Sequence, residues 1–176
     1  VKHGGFDGLK KALGLAGSAI VAEVTESGLR GRGGAGFPTG IKWKTVHDAQ
    51  ADQKYVCCNA DEGEPGTFKD RVLLTERADL VLEGMTVAAY AIGAETGIIY
   101  LRGEYAYLRA FLEDTMNQRR AANLLGNKIL GNETVTGAEN GEAAQAADIL
   151  VLTVPYNAHA STLEMIRDAA QGKILV

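Results

Sequence analysis

The chain holds only two cysteines, three prolines and one tryptophan in 176 residues. The cysteines, Cys57 and Cys58, are neighbours. Adjacent residues rarely reach disulfide geometry, and two thiols cannot build a four-ligand metal site. A disulfide framework, a zinc finger and a complete iron–sulfur site are therefore excluded, and a reducing compartment is the simpler setting. Long apolar runs are also missing, which argues against a helix that crosses a bilayer and against direct membrane insertion. No charged–apolar–small signal pattern opens the chain, so a cytoplasmic location is expected. Nor is there a surplus of positive charge: the formal net charge is −4, which disfavours a nucleic-acid partner. Val1 at the start and an apolar run ending in Val176 read as an excerpt of a longer product. The remaining composition, 46% hydrophobic and 23% charged, is that of a globular fold.

Glycine is plentiful, with 22 residues, and its placement punctuates the chain. Phe6, Leu9 and Leu13 recur at helical spacing, and a second helical pattern runs over 18–27 with Ile20, Val21 and Val24 on one side. Gly28 is placed to end it in a left-handed conformation. Residues 30–40 are too glycine-rich for helix or strand. Residues 54–58 read as a buried strand, 59–66 as an acidic loop, and helical patterns follow from Thr67 through Val72, Leu73 and Leu74 and again over 79–94. A strand is expected at 97–102, then a helix over 104–122 carrying Leu108, Phe111, Leu112 and Met116, then a loop at 126–137. Beyond it come a helix near 142–147, a strand at 149–154, a turn at Pro155, a helix at 161–170 and a strand at 173–176. Alternating strands and helices predict an α/β layered fold with a largely parallel sheet.

Two segments carry chemistry. Gly31-Arg-Gly-Gly-Ala-Gly36 matches G-x-G-x-x-G, but a helix and not a strand precedes it, unlike the first turn of a dinucleotide-binding unit. The physical argument survives that mismatch. Backbone without side chains approaches a phosphate closely, and consecutive N–H groups form an anion-binding nest. Arg30, Arg32 and Lys42 add positive charge beside Gly31, Gly33, Gly34 and Gly36. A flexible surface loop is the plain alternative. The second segment, Asn59-Ala-Asp-Glu-Gly-Glu-Pro-Gly66, follows the first strand, where ligands of open α/β sheets sit. Asp61, Glu62 and Glu64 suit sugar hydroxyls or ring N–H groups. Their alternative is a solvated turn or a helix N-terminus, since carboxylates ahead of Thr67 also suit a helix dipole.

Taken together, residues 28–43 and 58–71 closely resemble the flavin- and NADH-binding subunit of respiratory complex I, with relatives in NAD-reducing hydrogenases and NAD-dependent formate dehydrogenases. Ile99-Tyr-Leu-Arg-Gly-Glu-Tyr105 and Leu124-Leu-Gly-Asn-Lys-Ile-Leu-Gly131 extend the likeness to about residue 131. The resemblance implies a Rossmann-like parallel sheet with flanking helices that binds FMN and NAD(H) and takes a hydride from NADH onto FMN. It implies that Gly31, Gly33 and Lys42 hold the FMN phosphate and ribityl chain, within a loop that also includes Arg32, Gly34 and Gly36. Asn59, Asp61 and Glu62 would lie on the flavin, Phe37 would stack on the nicotinamide–adenine nucleotide, and Glu64 would accept hydrogen bonds from NADH. No side chain is needed as a catalytic acid or base, because the cofactors carry the chemistry. The implied partners are NADH and the other subunits of a complex I-like, hydrogenase or dehydrogenase assembly, with the chain peripheral on the inner face of a membrane through that complex.

The family's second glycine–glutamate loop, its ubiquitin-like domain and its four-cysteine iron–sulfur domain find no match in these residues, and Thr45 stands where many relatives carry an aromatic. Residues 136–168 are instead similar to the middle of the NADPH-dependent deazaflavin-cofactor reductases, which implies that Thr153, Val154, Pro155 and His159 line a nucleotide pocket. The expected organisation is thus a partial FMN/NADH-binding domain over 1–131, joined to a partial NADP-binding Rossmann-like segment over 132–176. The second segment would add parallel strands at an exposed sheet edge. The competing readings are a non-catalytic fragment or chimera without a complete cofactor site, and a fragment of a deazaflavin-cofactor reductase.

Overall fold

The computed structural model describes residues 5–126, 129–130, 149–150 and 174–175. In chain order the elements are α1 (Asp7–Leu13), α2 (Gly17–Glu26), α3 (Thr39–Asp48), β1 (Tyr55–Ala60), α4 (Lys69–Glu76), α5 (Ala78–Ile92) and β2 (Thr96–Leu101). A 3-10 segment (Gly103–Leu108), α6 (Arg109–Ala121) and two short strands, β3 (Ile149–Leu150) and β4 (Ile174–Leu175), follow. The class is α/β, as the alternation predicts. Gly28 ends α2 at φ 66°. Three features differ from the sequence reading. β1 runs on through Asn59 and Ala60, so Asn59 is a strand residue; residues 39–48 form a helix that no pattern announced; and the helix expected from 104 opens as a 3-10 segment.

β1 and β2 pair in parallel, from Tyr55↔Thr96 to Ala60↔Leu101. β3 and β4 also run parallel but pair with each other. Among the described residues they therefore do not extend the edge of the first sheet. The helices expected near 142–147 and 161–170, the Pro155 turn, and Thr153, Val154 and His159 lie outside the described residues.

α5 is the hub. Leu82, Thr86, Ala88, Ala89, Ala91 and Ile92 are all buried on it, and a helix apolar on several sides is packed on several sides. Ala89 and Ile92 join Leu9 and Ile129, with Trp43 and Val56 against them. Ala91 joins Ile20 and Val21 of α2. At its other end Ala78 meets Leu74, Tyr105, Leu108 and Leu112, against Ile99 and Leu101 of the sheet. The alternate sheet face carries Cys57 and Asn59, both exposed, because successive side chains of a strand point to opposite faces.

Three contacts fix the direction of the amino-terminal helices. A Cβ on Gly17, at the start of α2, would lie 2.6 Å from the Ala91 carbonyl at the carboxyl end of α5. One on Gly40, near the start of α3, would overlap Thr25 near the end of α2. Lys54 Nζ donates to the His47 carbonyl at 2.8 Å, tying the end of α3 to the approach to β1. Hence α2 rises from the amino end of the sheet and α3 descends to it. The loop between them opens at the end where β1 and β2 finish.

Two buried charges bind the helices into this layer. The Glu83 carboxylate of α5 accepts from Phe6 N–H and Leu9 N–H, both at 3.2 Å. It thereby caps α1, whose own N-cap position supplies no side-chain bond. Arg119 of α6 is 4% exposed, donates to the Asp79 carbonyl at 3.3 Å and stacks on the Phe6 ring at 5.0 Å. Replacing Glu83 with alanine strands two amide donors at the buried end of α1. The expected cost is about 1–3 kcal/mol, read as a lower urea midpoint at unchanged m.

Candidate functional site

The glycine loop is a closed excursion. Arg30 and Pro38 form an antiparallel bridge, with Gly31 N–H donating to the Phe37 carbonyl at 3.0 Å and Thr39 N–H to the Leu29 carbonyl at 2.8 Å. Arg30 reaches across the loop to the Gly36 carbonyl at 3.0 Å, and Gly36 takes φ 66°, a conformation that favours glycine. Around Gly33 and Gly34 nothing lies within 4 Å of an added Cβ, so this backbone faces open space. The loop runs directly into α3, whose N-terminus has no side-chain cap and no acidic residue in its first turn. Lys42 stands on that first turn with Nζ 5.6 Å from the centre of the Phe37 ring, and Phe37 is 49% exposed. Open loop backbone, an uncapped helix N-terminus and a cation thus lie together, a combination of the kind that suits an anion.

At the carboxyl end of β1, Asn59 folds its side chain back onto the loop, its Oδ1 accepting from Asp61 N–H at 3.1 Å. Asp61 is half-buried and Glu64 exposed. Glu62 differs from both. It is 5% exposed, and its carboxylate accepts from Asp70 N–H at 3.0 Å, Arg71 N–H at 3.4 Å and the Tyr105 hydroxyl at 3.3 Å. Lys69 Nζ lies 3.8 Å away. Burial pushes this carboxyl up, but the two backbone donors, the Tyr105 hydroxyl and the Lys69 charge outweigh it and hold Glu62 below the usual carboxylate range. The helix-N-terminus alternative therefore describes Glu62: its side chain caps α4 and points inward, while Asp61 and Glu64 keep the solvent side.

Three residues without a role in the sequence reading complete this end of the sheet. Arg102, just past β2, donates to the Glu62 carbonyl and to Glu104 at 2.7 Å. Tyr105 holds the Glu62 carboxylate. Tyr100 lies opposite Asn59 in the register, and its hydroxyl is buried with no hydrogen-bond partner among the described residues. Burial, then Asp61 and Cys57, raise its pKa. The motif spanning 99–105 signalled family likeness, but no local pattern marks which of its side chains turn toward the loop. The thiols stay protonated near neutrality: burial raises Cys57, and burial, then Cys57 and Asp70, push Cys58 to about 11. Neither is an activated nucleophile.

A recess of about 40 Å³ lies at the amino end of the strands, among Gln53, Tyr55, Gly93 and Thr96. Another of about 290 Å³ lies beside Lys10, Leu13, Gly14 and Leu130. Neither is lined by the glycine loop or the acidic loop.

A glycine loop running into an uncapped helix and an acidic loop at the carboxyl end of a parallel sheet are the features of an α/β fold of the nucleotide- or flavin-binding kind. The family model of the Nuo51 FMN-binding domain matches residues 24–162, and the chain belongs to that family. The alpha subunit of the NAD-reducing hydrogenase HoxS of Cupriavidus necator is 55% identical over 123 residues, 70% of this chain and 20% of that protein. An NADH-quinone oxidoreductase subunit of Rhizobium meliloti is 52% identical over 130 residues, 73% of this chain and 31% of its own length. Among solved structures, an NAD+-reducing nickel–iron hydrogenase in the H2-reduced state superposes with a TM-score of 0.61 at 42% identity, covering 74% of this chain and 24% of the other. The chain thus spans well under half the length of these relatives. The family match also runs past residue 132, where the sequence reading places its boundary. Among the described residues no helix is long and apolar enough to cross a membrane.

Proposed function

We propose that this chain is the FMN-binding module of an NADH:acceptor oxidoreductase and acts as a subunit of a complex I-like or hydrogenase-like assembly. One observation carries the reading: in a member of the Nuo51 FMN-binding family, the open glycine loop leads into an uncapped helix N-terminus with Lys42 on its first turn. The donor set fits the group. Backbone of Arg32, Gly33, Gly34 and Gly36 and the Lys42 ammonium would receive the phosphate, with Gly31 closing the neck of the loop through its own N–H. Asn59 and Asp61 offer a carboxamide and a carboxylate to sugar hydroxyls or ring N–H groups, and the unpartnered Tyr100 hydroxyl fits the same polar edge. Phe37 offers an exposed ring for a nucleotide base, and Glu64 an exposed acceptor for NADH. Bound FMN supplies the redox chemistry, acceptance of a hydride from nicotinamide and release of electrons one at a time. The protein supplies position and charge, and no residue acts as a proton donor in this scheme. In this reading residues 132–176 form a partial NADP-binding Rossmann-like segment.

The test is a titration of FMN with the full chain, followed by quenching of flavin fluorescence. Saturable binding is expected. Lys42→Ala should raise the Kd about tenfold, as for loss of one charge-assisted contact, and should leave a shallower salt dependence than the wild type. A folded chain that takes up no FMN at high micromolar concentration would support the competing reading, a fragment that keeps the motif without a complete site.

A further inference from the structure

Of the motif Ile99-Tyr-Leu-Arg-Gly-Glu-Tyr105 the flavin reading takes up Tyr100 alone, yet Arg102 and Tyr105 reach the acidic loop. Arg102 N–H donates to the Ala60 carbonyl at 3.2 Å, carrying the pairing one residue beyond β2. The Arg102 guanidinium donates to the Glu62 carbonyl through one nitrogen and to Glu104 through another. Tyr105, 9% exposed, holds the Glu62 carboxylate, which the first amides of α4 grip from the other side. One residue of the loop is thus fixed at both its carbonyl and its side chain, by groups from two different elements. Glu62 cannot rotate outward without breaking contacts to both.

We infer that Arg102 and Tyr105 are positioning residues for the ligand-facing side of the loop at 59–66: they fix Glu62 inward and so set the placement of Asp61 and Glu64. The inference rests on the flavin reading for the identity of the ligand. Both guanidinium nitrogens that bond here are engaged within the protein, which separates Arg102 from Lys42 as a ligand contact. A Cβ on Gly63 would lie 3.7 Å from Arg102 Nη1, so the guanidinium lies directly against the loop backbone. Its charge also lies near the carboxylates of Glu104 and Asp61. Lysine does not substitute for it, because a single ammonium cannot reproduce the fork that bonds a carbonyl and a carboxylate together.

The test uses the full chain with Tyr105→Phe, Arg102→Lys and Arg102→Ala, and two readouts. Amide hydrogen exchange over 61–66 reports the loop directly, and FMN fluorescence quenching reports the site. Tyr105→Phe should speed exchange across the loop and raise the FMN Kd about tenfold, with the α5 amides as well protected as in the wild type. Arg102→Ala should do more, and Arg102→Lys should recover part of the difference. Unchanged loop exchange in both Tyr105→Phe and Arg102→Ala overturns the inference. So does faster exchange with an unchanged Kd, because the loop would then be anchored without serving the ligand. If the wild type binds no FMN, the flavin reading fails and takes the ligand half of the inference with it. The exchange data still decide whether the two side chains hold the loop.

Discussion

A methyl group added at Gly40 should drive α2 and α3 apart and weaken whatever binds the loop between them. The new Cβ would overlap Thr25, its Cα as well as its side chain. Rotating the threonine therefore gives no relief, and backbone has to shift. Overpacking of this kind costs about 1–3 kcal/mol. Gly40→Ala should accordingly lower the urea midpoint while leaving m unchanged. The consequence for binding follows from topology. Thr39 and Gly40 begin α3, the loop at 31–36 runs into them, and Lys42 sits two residues further on. A displaced helix start carries the cation and the open amides with it, so FMN affinity should fall along with stability. An unaltered midpoint would mean that the two helices slide freely past one another, contrary to the contact described.

Glu62→Gln should produce the second large effect, and pH separates it from an ordinary polar substitution. The buried carboxylate accepts two backbone amides and a phenol. Bonds of this kind to a charged group are each worth about 1.5–3 kcal/mol. The glutamine keeps one acceptor and turns an amide donor toward N–H groups, so a loss of about 2 kcal/mol or more is expected at neutral pH. The folded-state pKa of Glu62 lies below its ordinary value of 4.5. Its contribution is therefore complete above that value and disappears as the pH falls through the lower, folded-state value. Urea midpoints between pH 7 and 3 should show wild type and variant converging at the acid end. A constant gap across that range would mean that the charge of Glu62 contributes nothing.

Much of this architecture is legible in residue order because its signals are local. Ile20, Val21 and Gly28 mark α2 and its end, and the apolar runs before Asn59 and Arg102 mark two strands. α3 carried no such signal. Ile41, Thr45 and Val46 are β-branched, and Ile41 and Val46 remain exposed. Only Gly40 is fully buried on that helix. It is held by a close approach to Thr25 and by Trp43, contacts with residues distant in sequence or too small to register in a hydrophobic pattern. Tyr105 and Leu108 are both buried three residues apart, a spacing that a 3-10 turn and an α-helix share over one turn. Glu62 illustrates the limit at the site. Its position among Asp61 and Glu64 makes the three look alike. What separates it is the return of α4 and of the 3-10 segment to its carboxylate, which no spacing within the loop encodes.

The cap on α1 has a bearing on how the chain is made. Glu83 lies 77 residues after Phe6 and 74 after Leu9, and the start of α2 rests against Ala91. During synthesis α1 and α2 precede α5, so the cap on α1 and the Ala91 contact of α2 form only after α5 has followed them. Until α5 arrives, the apolar side of α1 and α2 that it covers stays exposed to non-native contacts.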